Sequence, residues 1–182
     1  MTGFSEKSIN PVYLRVKNLL GELGEEMISE KDEENYWKLD IRHGSTLVSI
    51  FHDKKRKYMS VIYPNSIQDT GILKKINGAF EDEKGGFDRK FTFYSSISSP
   101  LTGYIMYSND SGFTGYDIFA KIFPFEPDFT LWRVDDAIQR VVSVGTRGTA
   151  FLKSLLNDPH VEYRIVAHKG AGPAAGDNTM YM

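Results

Sequence analysis

The chain has no cysteine in 182 residues. That removes disulfides, thiol nucleophiles and thiolate metal sites together, and it fits a reducing cytoplasm. An excess of either charge is missing too: 22 Lys and Arg stand against 24 Asp and Glu, for a formal net charge of −2. No global field exists to gather nucleic acid or an acidic bilayer, so neither is expected as a partner. No run approaches the ~20 apolar residues of a membrane helix. The polar stretch Met1–Asn10 has no apolar signal core. The expected location is cytoplasmic. Gly-x-Ser-x-Gly and the P-loop pattern are also absent. The residues assign no catalytic group, no metal site and no cofactor.

What is present is ordinary globular material, 41% hydrophobic and 25% charged. The length fits one domain over 1–182. Its core spans about 10–157, and 158–182 form a C-terminal extension. The last part of it, Gly170–Met182, reads as a mobile tail.

The most ordered stretch is Tyr36–Tyr63. Three segments alternate strictly: Tyr36–His43, Thr46–His52 and Lys57–Tyr63. Trp37, Leu39, Ile41, Val48, Ile50, Met59 and Val61 make one apolar set. A turn at Gly44-Ser45 places Ile41 opposite Val48 and Leu39 opposite Ile50. A second around Lys54-Lys55 places Ile50 opposite Met59 and Val48 opposite Val61. All seven then share one face of an antiparallel meander, and a slip of one residue would expose them. Such a face needs a helix over it.

The Asn10-Pro11 pair starts one, with Asn as cap and Pro at the first position. Val12, Val16, Leu19, Leu20 and Leu23 form its stripe, and Gly24 stops it. Glu25–Glu34 reads as a solvated loop with a short edge strand around Met27. Ser66 or Asp69 caps a second helix to about Glu83, with Ile72, Leu73, Ile76, Ala79 and Phe80 apolar. Phe87–Ile97 reads as a strand. Leu101–Ser108 and Phe113–Phe123 form a hairpin about Asn109-Asp110-Ser111-Gly112. A third helix begins near Thr130, and Gly145 and Gly148 kink or break it before Leu156. Val161–Ala167 has strand character.

The order is helix, three strands, helix, three strands, helix. It predicts an α+β domain with a largely antiparallel sheet and helices packed on one face. This order, with the Asn10–Leu23 helix leading into the 36–63 meander, resembles the type III secretion chaperone-like fold. Tir-type chaperones, YbjN-like proteins and uncharacterised archaeal and bacterial proteins share that fold. The resemblance covers about residues 10–157. It implies a small cytosolic homodimer that binds other polypeptides without catalysis.

Several stretches could carry function. With Ser108 opposite Phe113, the hairpin puts Leu101, Ile105 and Tyr107 on the core face beside Tyr116, Ile118, Ala120 and Ile122. The other face then presents Tyr104, Met106, Phe113, Phe119 and Phe123. That much contiguous aromatic surface implies a cover. The third helix, a twofold partner or a bound peptide or apolar ligand could each supply it. Gly145-Thr146-Arg147-Gly148-Thr149 is the second candidate, a loop in which Thr146, Arg147 and Thr149 would hold an anion or nucleotide. Lys54-Lys55-Arg56-Lys57 is a basic hairpin tip, read as a solvated turn. Asp135 and Asp136 diverge on a helix and read as helix-start charge. His43 and His52 sit on the core face at opposite ends of the first hairpin, too far apart to share a metal. His160 and His168 read as solvent-exposed. The leading expectation is a non-enzymatic binding or assembly module, with an anion-binding protein as the alternative.

Overall fold

Asn10 begins the described chain as its pattern predicts. Its Oδ1 accepts from the backbone N–H of Val12 at 2.9 Å and of Tyr13 at 3.3 Å. Those are two of the donors that a helix start leaves unmatched. The structure, a computed structural model, describes residues 10–82, 91 and 101–156. The side chain of Phe80, the segment Phe87–Ile97 apart from Phe91, and everything from Asn157 on, including His160 and His168, lie outside these.

Helix α1 (Pro11–Glu22) leads into strands β1 (Glu26–Asp32), β2 (Tyr36–His43), β3 (Thr46–Asp53) and β4 (Met59–Ser66). Helix α2 (Thr70–Asp82), strands β5 (Thr102–Asn109) and β6 (Gly112–Ile122), and helix α3 (Leu131–Leu155) follow. Among the described residues the sheet has six strands in the order β1-β2-β3-β4-β6-β5, and every pairing is antiparallel. The three helices pack on one face, as expected for this α+β class. Among the described residues four strands precede α2 and two follow it. Within Glu25–Glu34 the edge strand expected around Met27 is a full one, Glu26–Asp32, bulged at Ile28; Glu26, Glu30 and Asp32 sit on it, and Glu25, Glu33 and Glu34 flank it. An edge strand pairs on one side only, so it tolerates a pattern too polar to read as strand. Phe91, expected in a strand, is helical and fully buried.

The seven inner residues of the meander are all fully buried. Each such burial stabilises by roughly 1.5–3 kcal/mol. Ile41 does face Val48 and Leu39 does face Ile50. The β3–β4 pairing differs from the expectation, because Ile50 faces Val61 and not Met59. The turn runs on to Tyr58, so β4 starts two residues later. A shift of two residues changes partners but keeps every side chain on its face.

Helix α1 is tied to the sheet by Tyr13, whose ring meets Trp37 edge-on at 5.8 Å and whose hydroxyl donates to Glu30 Oε2 at 2.6 Å. Arg15 donates to the Phe129 carbonyl at 2.5 Å and lies over that ring, joining α1 to the start of α3. No helix among the described residues is long and apolar enough to cross a membrane.

Candidate functional site

The hairpin departs from its expected facing. Ser108 pairs with Phe113, but the next pair is Tyr107 with Gly115, so Thr114 is an extra residue. Such a bulge inverts the parity of one strand against the other. Tyr104 and Met106 therefore align with Ile118 and Tyr116 on the helix side, where both pack against the core. Phe113, before the bulge, is in the core at 7% exposure. Ile105 pairs with Asp117 and Tyr107 with Gly115 on the open side, and Leu101 is exposed.

Tertiary partners hold this bulge. Asn77 of α2 accepts from the Phe113 N–H at 2.8 Å and donates to its carbonyl at 3.2 Å. The Thr114 carbonyl accepts from the Ile67 N–H at 3.0 Å. A Cβ on Gly115 would stand 2.3 Å from the Asn65 carbonyl oxygen, so only glycine lets β6 close on β4 there. The five hairpin residues thus divide. Tyr104, Met106 and Phe113 join the core, and Phe119 and Phe123 remain on the open face.

The Gly145–Thr149 segment is not a loop. It is the middle of α3, which runs unbroken from Leu131 to Leu155. Its amides lie within the helix ladder and are not aimed at an anion. Thr146 and Arg147 are exposed, and Arg147 donates to Ser143 Oγ at 3.1 Å one turn back. Thr149 turns to the sheet. Its hydroxyl lies 2.9 Å from the Tyr116 hydroxyl, 3.0 Å from Asn65 Nδ2 and 3.2 Å from the Tyr63 hydroxyl. The glycines mark close approach: a Cβ on Gly148 would meet the Tyr116 hydroxyl at 2.9 Å and the Phe91 ring at 3.0 Å.

Asp135 and Asp136 diverge as expected, taking Gln139 and Arg140 one turn on. His43 pairs with Glu25 at 2.7 Å, and His52 is buried beside Trp37. Among the described residues no group of three His, Asp or Glu is placed to hold a metal ion.

What the fold does assemble lies on the open face, at the β3–β4 end. Register sets a row across four strands: Lys38 beside Phe51, Phe51 beside Ser60, Ser60 beside Lys121. Around it Asn35, Tyr36, Phe51, Asp53, Lys55, Arg56, Tyr58 and Ser60 enclose a pocket of about 310 Å³. Tyr36 and Phe51 stack at 5.5 Å and make an aromatic wall. Arg56 bonds the Tyr58 hydroxyl and lies over that ring. On the other side Lys121 Nζ sits 5.0 Å from the Tyr58 ring and 5.7 Å from Phe119, and Phe123 meets Tyr58 edge-on at 6.3 Å. Asp53 shapes the tip: its Oδ1 accepts from the Lys55 N–H at 2.9 Å, and its Oδ2 lies 3.4 Å from Arg56 Nε.

Two of the five expected residues, Phe119 and Phe123, border this site. Tyr36, Phe51 and Tyr58 were missed, because each belongs to a different strand or turn. Lys54-Lys55-Arg56-Lys57 is a turn, as expected, with Lys55, Arg56 and Lys57 exposed; the signal beside it is the outward-facing aromatics that flank it.

No protein-family model matches the chain, and no curated protein matches it. Among solved structures it is similar to the crystal structure of an uncharacterized protein from Methanothermobacter thermautotrophicus. The TM-score is 0.61 at 13% identity, over 79% of this chain and 97% of that one. At that identity the likeness concerns the fold alone.

Proposed function

We propose that this chain is a non-enzymatic binding module that receives its partner on the open face of the sheet, at the pocket between Tyr36, Phe51 and Tyr58. The observation that carries this reading is the convergence of an aromatic wall with Lys55 and Arg56 around one concavity. Flat apolar walls with a few placed polar groups are the usual make-up of a ligand site. The groups there suit a partner that combines a ring with negative charge.

An anionic aromatic dye, 1-anilinonaphthalene-8-sulfonate, tests the site directly. Fluorescence enhancement by the native chain, lost in Phe51→Ala and Tyr58→Ala, is the expected result. Equal enhancement in all three proteins disposes of the site.

Assembly is the second reading, and the two sheet edges among the described residues favour it. β1 carries Glu26, Glu30, Lys31 and Asp32, whereas β5 carries no charged residue. Charged edges resist pairing with another strand and uncharged ones accept it. A homodimer joined through β5 would sediment as such at micromolar concentration, and a monomer there ends this reading.

A further inference from the structure

We infer that the open-face pocket takes a single nucleotide-like ligand, its ring stacked on the Tyr36–Phe51–Tyr58 walls and its phosphate at Lys55 and Arg56. This inference rests on the binding-module reading and narrows its ligand class. Three observations carry it.

The first is size. A volume of about 310 Å³ stands at the small end of ligand sites, enough for one ring with its phosphate and too little for a strand. The second is chemistry. Aromatic side chains beside cations are how proteins hold a base and its phosphate, since every base offers a π-face and stacking needs no sequence readout. Arg56 is fixed by Tyr58 and Asp53, and no carboxylate among the described residues pairs with the Lys55 ammonium. The rim therefore holds two cations against Asp53, while Asp53, Asn35 and Ser60 supply polar partners for ring or sugar donors. The third observation concerns a peptide. Extended peptides bind sheets by main-chain bonds to a free edge. The pocket lies over β3 and β4, and each of these is already paired on both sides. That leaves a peptide side chains only, whereas a stacked ring needs nothing else.

Titration calorimetry with adenosine 5′-monophosphate tests this. Adenosine, ribose 5-phosphate and a 5′-phosphorylated RNA pentamer serve as comparison ligands. The expected result is saturable binding of the nucleotide, with both adenosine and ribose 5-phosphate weaker by about tenfold or more. Lys55→Ala and Tyr58→Leu should each weaken it by about tenfold, and Arg147→Ala should leave it unchanged. Ribose 5-phosphate binding as well as the nucleotide would mean an anion site only and overturn the inference. Far tighter binding of the pentamer would overturn the single-nucleotide assignment. Dye binding lost in Tyr58→Ala, with no nucleotide binding at millimolar concentration, would refute the ligand class and leave the binding module standing. No dye binding at the pocket would refute both.

Discussion

The backbone of Gly145 lies against the ring of Tyr63: a Cβ at Gly145 would stand 2.4 Å from two of the ring carbons. Tyr63 is buried, and its hydroxyl is held near Thr149, so the ring has nowhere to retreat. Glycine costs a helix interior up to about 1 kcal/mol against alanine, so by propensity alone Gly145→Ala should stabilise. Overpacking reverses the sign, and we expect a loss of about 1–3 kcal/mol. Gly78 of α2 is the control, being exposed with nothing within 4 Å of its Cβ position. There alanine should add up to about 1 kcal/mol. Urea unfolding of both variants checks the opposite signs.

Thr149 links α3 to the sheet through three side chains, and Arg147, two residues earlier, is exposed and donates to Ser143 on its own helix. Thr149→Val keeps the shape but strips the hydroxyl from the cluster of Tyr63, Asn65 and Tyr116. A loss of about 1–3 kcal/mol is expected, since buried polar partners are left short of a bond. Arg147→Ala should change stability by less than about 0.5 kcal/mol. If Arg147 were instead the more costly position, the account of α3 as a packing helix would be wrong.

The bulge that sends Tyr104 and Met106 inward depends on Asn77. Asn77→Ala removes the acceptor of the Phe113 N–H and the donor to its carbonyl. The expected cost is about 1–3 kcal/mol. Amide exchange at Phe113 should rise above that of the β4–β6 ladder. Unchanged exchange at Phe113 would show that the bulge holds without α2.

Stability should also fall in mild acid. His52 is buried, and desolvation lowers its pKa below the ordinary 6.5, outweighing the bond to the Arg56 carbonyl. That carbonyl accepts at 3.0 Å from Nε2, which therefore carries the proton, and buried Nδ1 has no partner among the described residues. Above pH 6.5 the imidazole is neutral in both the folded and unfolded chain, and stability is at its full value. Below it the unfolded chain takes up a proton that the folded chain resists, so unfolding gains until the lower folded value is passed. Asp40 acts in a separate window. Burial pushes its pKa up, but bonds from Ser49, Ser29 and Lys38 together bring it below 3.8, so its contribution is lost only in stronger acid. The urea midpoint should therefore drop as the pH falls below about 6.5 in the native chain, with a much flatter profile in His52→Phe. Equal slopes would clear His52 of the effect.

The face of the 36–63 meander was legible because alternation is local: any register consistent with Trp37, Leu39, Ile41, Val48, Ile50, Met59 and Val61 on one side gives the same core. The cap at Asn10 was legible for the same reason, as its bonds reach only Val12 and Tyr13. The hairpin was not. Its two strands alternate as cleanly on one face as on the other, and one extra residue at Thr114 chose between them. That choice lies with Asn77, 37 positions back in the chain, and with the closeness of Gly115 to Asn65.

The same division governs the rest of the molecule. By itself the sequence determined the α+β class, the helix starts and which side of the meander is buried, since propensity and periodicity act over a few residues. Only the tertiary structure decided that Gly145 and Gly148 are contact points and not breaks, because a missing Cβ shows its use only against the ring it admits. It alone also brought Tyr36, Phe51, Tyr58 and Ser60 to one pocket, since strand pairing joins residues that no local pattern connects.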